Sequence, residues 1–174
     1  MSSAMDTVAP RPLTRIFGLA AITVASVFDQ ATKLMALATL ERGSAQPVLP
    51  FFDLRLSFNQ GVSFSMFAET FAGRPLLLAG ITLVIVALFA FLLIRSTARW
   101  EAIALGLIIG GALGNALDRI RLGAVVDFLD FHVGGWHWPA FNLADTAIAM
   151  GVMLLLAMTL LGKNTEFPVK ETPS

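Results

Sequence analysis

Residues 76–94 read LLLAGITLVIVALFAFLLI, nineteen consecutive positions without a charged side chain. Wound as a helix at 1.5 Å per residue, this run is about 28 Å long, close to the hydrocarbon thickness of a bilayer. Lipid offers no partner to an unpaired backbone group, so a stretch this long and apolar is expected to cross the membrane as a helix. Working outward, three further stretches qualify, at about 16–40, 102–120 and 143–161, of which the first and second carry the most polar residues. The whole chain agrees with this reading. Its 174 residues are 56% hydrophobic and 14% charged, with a mean hydropathy of +0.77, outside ordinary globular usage.

Twelve basic residues balance twelve acidic ones, so no net field recruits nucleic acid. Cysteine is absent, which excludes disulfides, thiolate metal sites and a cysteine nucleophile. Arg11, Arg15, the apolar run after them and Ala36-Leu37-Ala38 imitate a cleavable secretory signal. An uncleaved anchor is expected instead, because it gives an even number of spans. Arg11, Arg15, Arg95, Arg99, Lys163 and Lys170 fall on the side of the two termini, whereas Arg42, Arg55 and Arg74 fall opposite, with Arg119 and Arg121 near the boundary. Basic residues are retained on the cytoplasmic side, so both termini are expected there and the connections 41–75 and 121–142 outside.

In the first connection, Phe52, Leu54, Leu56 and Phe58 alternate with Asp53, Arg55, Ser57 and Asn59, the period of a strand with one apolar face. Phe64, Phe67 and Phe71 follow at helical spacing, predicting a short interfacial helix that either anchors the loop or covers a site as a lid. Trp136 and Trp138, behind a Gly134-Gly135 turn, suit the interfacial aromatic belt. The expected architecture is therefore an all-α membrane protein, one domain over 1–174, built as a four-helix transmembrane bundle with a small extracytoplasmic β-sheet.

Charges inside spans are costly and generally face a bundle interior or wet cavity. Asp29 and Lys33, four apart on the first span, are expected to pair. Gly106, Gly110 and Gly114 would let a neighbouring helix approach the third span closely. They do not explain Asn115, Asp118 and Arg119 near its outer end. Asp127 then lies just beyond that span, in what reads as a loop, and Asp145 lies in the first turn of the next. Two carboxylates close together in a partly dry site share one proton, the device by which an aspartic peptidase activates water and supports the oxyanion. The residues alone leave alternatives: Asp145 could be a helix-start carboxylate stabilised by the dipole, and Asp130 competes with Asp127.

Five stretches nevertheless resemble, in order, the motif blocks of the lipoprotein signal peptidases (signal peptidase II). They are Asp29-Gln30-Ala31-Thr32-Lys33, Asn59-Gln60-Gly61, Gly110-Gly111-Ala112-Leu113-Gly114-Asn115 with Asp118-Arg119, Val125-Val126-Asp127-Phe128, and Phe141-Asn142-Leu143-Ala144-Asp145. The resemblance implies that Asp127 and Asp145 are catalytic and that Asn59, Gly61, Asn115, Arg119 and Asn142 line a substrate pocket shaped by Asp29, Lys33 and Asp118. It implies a diacylglyceryl-modified prolipoprotein as substrate, cut before the lipidated lipobox cysteine, with no cofactor or metal. It further implies a monomer in the bacterial inner membrane, with the active site near the extracytoplasmic face in contact with membrane lipid, and inhibition by the cyclic peptide globomycin. Val62-Ser63 and Leu143 depart mildly from the family pattern.

Three other classes compete. A proton-coupled transporter or channel subunit would account for Asp29, Lys33 and Asp118 but poorly for a boundary dyad. A metallopeptidase would need His132 and His137, which lack a zinc-binding helical spacing. A serine peptidase would use Ser57, Ser63 or Ser65, around which no nucleophile elbow is found.

Overall fold

The computed structural model describes residues 12–61 and 73–162. Four helices are long and apolar enough to cross a membrane: α1 (Pro12–Thr39), α2 (Pro75–Arg95), α3 (Arg99–Leu122) and α4 (Leu143–Gly162). They extend the expected spans by a few residues at most ends. Because α3 begins at Arg99, only residues 96–98 connect it to α2. Pro75 opens α2, where its missing N–H costs nothing, and Gly123 closes α3 in a left-handed conformation at φ 73°.

Helix α3 is the buried spine, with the other three packed around it. Its glycines make this possible. A Cβ on Gly110 would lie 2.7 Å from the Ile22 carbonyl oxygen of α1, and one on Gly151 of α4 would lie 2.6 Å from the Ala104 carbonyl oxygen of α3. The small-residue stripe expected on α3 is thus the α1 contact, while Gly111 faces Ala144 and Ile148 of α4. Leu93, Ala102, Leu105 and Ile109 form the apolar core between α2 and α3. The outer faces of α1, α2 and α4 remain apolar and exposed, Val84 at 71% for example, which suits hydrocarbon and not water.

At the end of the bundle that holds Thr39 and Leu143 sits an antiparallel four-stranded sheet in the order β1 (Ala45–Leu49), β2 (Phe52–Asn59), β3 (Val125–Val133), β4 (Trp136–His137). Strand β2 occupies the predicted segment, but a bulge between Leu54 and Ser57 breaks its alternation, and Asp53 is buried as well as Leu56. Gly134 and Gly135, at φ 59° and 84°, make the tight turn between β3 and β4. Ala36, Leu40, Leu56, Val126 and Phe128 form a second core joining the sheet to α1. One expectation is corrected here: Asp127 and Asp130 lie on strand β3, inside the sheet, and not in a loop. Four uninterrupted apolar and acidic positions, Val125 to Phe128, gave no alternation by which to recognise a strand buried on both faces. The expected aromatic helix over 64–71, and Ser63 and Ser65, lie outside the described residues.

Candidate active site

The site grows from the start of α4. Asn142 Oδ1 accepts the Asp145 N–H at 3.0 Å, and the Asp145 carboxylate accepts the Asn142 N–H at 3.3 Å. This reciprocal capping box satisfies two amides that a helix start otherwise leaves unpaired. The same asparagine reaches sideways. Its Nδ2 donates to Asp127 Oδ1 at 2.6 Å, to the Val126 carbonyl at 3.2 Å and to Asn115 Oδ1 at 3.2 Å. One buried residue therefore bonds both carboxylates, that of β3 through its side-chain amide and that of α4 through its backbone N–H. Asp145 is thus a helix-start carboxylate whose charge also acts on Asp127.

Below lies a second layer of charge. Lys33 Nζ sits 2.9 Å from Asp29 Oδ2, 2.8 Å from Asp118 Oδ2 and 2.9 Å from Asn115 Oδ1. The expected Asp29–Lys33 pair is present, and Asp118 joins it. Because Lys33 claims the oxygen of Asn115, the amide must turn its Nδ2 outward, where it donates to Asp145 Oδ1 at 2.8 Å. Asp29 Oδ1 accepts the Ala144 N–H of α4 at 2.9 Å, and Asp118 Oδ2 accepts the Val126 N–H of β3 at 3.1 Å. Gln30 Nε2 joins Asp29 and Asp118, at 3.2 and 3.0 Å. Gln30 and the Ala144 amide had no role assigned from sequence. Gln30 stood in a quoted motif, but its two partners on α3 are 84 and 88 residues away, a pairing that no local pattern reveals.

Asp127 is 2% exposed. Burial, and next the charge on Asp145, push its carboxyl up to about 6; hydrogen bonds from Asn59 and Asn142 and the charge on Lys33 oppose the rise. Asn59 also accepts the Gly61 N–H at 2.9 Å, fixing the turn in which Gly61 sits at φ 99°. Two cavities flank Asn59, Pro139 and Ala140: one of about 360 Å³ that Asp127 lines, and one of about 490 Å³ lined also by Gly61, Leu78, Arg119 and Asp145. Among the described residues, the buried Arg119 Nε has no hydrogen-bond partner. Leu78 and Trp138 in the cavity wall were not expected from sequence. Their signal, an apolar residue in a span and an interfacial tryptophan, is indistinguishable from ordinary membrane contact.

Asp130 is engaged elsewhere, with His137 Nδ1 at 2.9 Å and Arg55 Nε at 3.2 Å, while His132 Nε2 lies 3.3 Å from Asp53. The histidines are thus partnered singly by carboxylates in the sheet. Among the described residues no group of three or more acidic or histidine side chains is arranged to hold a metal.

Residues 21–161 match the family model described as signal peptidase (SPase) II. The chain is 41% identical over 157 residues to the lipoprotein signal peptidase of Paraburkholderia phymatum, covering 90% of this chain and 93% of that one. It is 44% identical over 131 residues to the enzyme of the same name from Burkholderia mallei, covering 75% and 79%. A solved structure described as a bacterial membrane enzyme superposes with a TM-score of 0.76 at 26% identity, covering 89% of this chain and 94% of that one.

Proposed function

Because the chain belongs to the signal peptidase II family, we propose that it is an aspartic endopeptidase that removes the signal peptide from diacylglyceryl-modified prolipoproteins, cutting just before the lipidated cysteine, with Asp127 and Asp145 as its acid–base pair. Membership makes it a bacterial membrane peptidase acting on prolipoproteins in the presence of membrane lipid. The observation that carries the finer reading is the Asn142 bridge: one residue hydrogen-bonds both carboxylates where two cavities adjoin.

In this mechanism the pair holds one proton. The ionised carboxylate takes a proton from water as its oxygen adds to the scissile carbonyl carbon, and the protonated one hydrogen-bonds the developing oxyanion. A proton then passes to the leaving cysteine nitrogen, the C–N bond breaks, and the signal peptide departs as a carboxylic acid with the pair again singly protonated. Asn115 and Asn142 spend their amides on Lys33, Asp127 and Asp145, so their role here is to orient the carboxylates. Arg119, with its Nε unpartnered among the described residues, is assigned to substrate carbonyls. Gly61 and Asn59 form the facing wall.

The site lies at the sheet end of the bundle. Arg15 donates to the Ile94 carbonyl and Thr14 to the Thr97 carbonyl at the other end, alongside Arg95 and Arg99. That basic end is assigned to the cytoplasm, which puts both termini there and the dyad at the outer leaflet of the inner membrane. Acyl chains hold the substrate in the bilayer at about 0.8 kcal/mol per methylene, so it reaches a site at this depth laterally. In this reading the enzyme acts as a monomer, and globomycin is expected to compete across the pair. The transporter alternative loses ground because Asp29 and Asp118 are tied to Lys33 and to backbone amides.

Asp127→Asn and Asp145→Asn proteins, reconstituted in liposomes with a diacylglyceryl-modified lipobox substrate, are expected to insert normally and lose cleavage. Asp130→Asn and His132→Ala are expected to keep most of theirs. Turnover by either dyad variant would falsify the assignment.

A further inference from the structure

A third cavity, of about 320 Å³, lies on the side of β3 away from Asp127. Thr32, Met35, Ala36 and Thr39 of α1 form one wall, and Leu54 of β2 and Phe128 of β3 form the other. The α1 residues recur at three- and four-residue intervals, so the groove follows one helix face for about 10 Å. Its two threonines have turned their hydroxyls back along the helix. Thr32 donates to the Phe28 or Asp29 carbonyl at 2.8 or 2.9 Å, and Thr39 to the Met35 carbonyl at 2.8 Å. The groove therefore presents methyl and methylene groups, and a water within it would lack the two or more polar partners it needs.

The groove is continuous with the lipid-facing surface of α1, where Phe28, Leu34 and Met35 are exposed, so the medium at its mouth is hydrocarbon. Substrate lipid must lie near the scissile bond, on the Asp127 side. Phe128 follows Asp127 in the strand, and consecutive strand residues point to opposite faces. We propose that this groove binds one acyl chain of a bilayer phospholipid, wedged between α1 and the sheet.

The full chain in phosphatidylethanolamine–phosphatidylglycerol vesicles, containing a phospholipid with a photoreactive group midway along one acyl chain, would be irradiated and the labelled residues mapped. Labelling of Met35, Thr39, Leu54 or Phe128 is expected to exceed that of Leu19 and Val27, on lipid-exposed parts of α1, by about fivefold, the ratio roughly 1 kcal/mol provides. Thr39→Trp, or Met35→Trp should the first fold poorly, is expected to fill the groove and abolish that excess while Leu19 and Val27 label as before. Uniform labelling along α1, or an excess that survives both substitutions, overturns the proposal. So does loss of the groove label on adding a diacylglyceryl-modified lipobox peptide, which would give the groove to substrate.

Discussion

Replacing Asp127 by Asn is expected to make the protein more stable while inactivating it. Its carboxyl, pushed from 3.8 to about 6 by burial and by Asp145, is a group the folded state prefers protonated. The stability that protonation contributes is complete below the unfolded value of 3.8 and is lost as pH rises through about 6. At 1.36 kcal/mol per pKa unit, the gap amounts to about 3 kcal/mol withdrawn from the wild type at about pH 8 and only about 0.5 kcal/mol at about pH 4. An asparagine never ionises, and its oxygen can keep the Asn142 contact now made at 2.6 Å. Thermal unfolding of both proteins in one detergent across that range should show the variant melting several degrees higher at the alkaline end, with the curves converging in acid. Equal melting at about pH 8, or a difference that does not vary with pH, refutes the claim that the fold holds this carboxyl under strain.

Three further outcomes follow from the same geometry. The Asn59 hydrogen bond favours ionised Asp127, so Asn59→Ala should move the alkaline limb of the kcat/KM profile, starting near about 6, to higher pH; a shift downward contradicts it. Lys33→Met leaves two buried carboxylates without their cation and should cost about 3–5 kcal/mol of stability, partly recovered in a Lys33→Met, Asp118→Asn double variant, as melting in detergent would record. Gly111→Ala puts a methyl against the Ala144 carbonyl and should displace the first turn of α4, lowering kcat by about tenfold or more for a misplacement near 1 Å, whereas Gly80→Ala, which meets nothing within 4 Å, should match the wild type.

The spans were legible because lipid imposes a length and composition that any apolar run such as 76–94 displays directly. The Asp29–Lys33 pair was legible for a similar reason: its geometry is local to one helix turn. Strand β3 was not, since burial on both faces erased the alternation that exposed β2. Nor were the assignments within the pocket. Sequence put Asn115 and Asn142 beside the carboxylates, but only their partners, up to 82 residues away, show that their amides are already spent on the protein. Composition cannot distinguish a donor aimed at substrate from one aimed at a neighbour.

The bond from the Ala144 amide to Asp29 joins residues 115 apart, and so ties the last helix to the first. As the chain emerges from synthesis, Asp29 and Lys33 can neutralise each other within α1 at once. Asp118 enters later and finds the same lysine. The remaining oxygen of Asp29 waits for α4, whose arrival delivers the amide and Asp145 together. Asp127 and Asp145, the proposed pair, are therefore brought together only once α4 has been inserted.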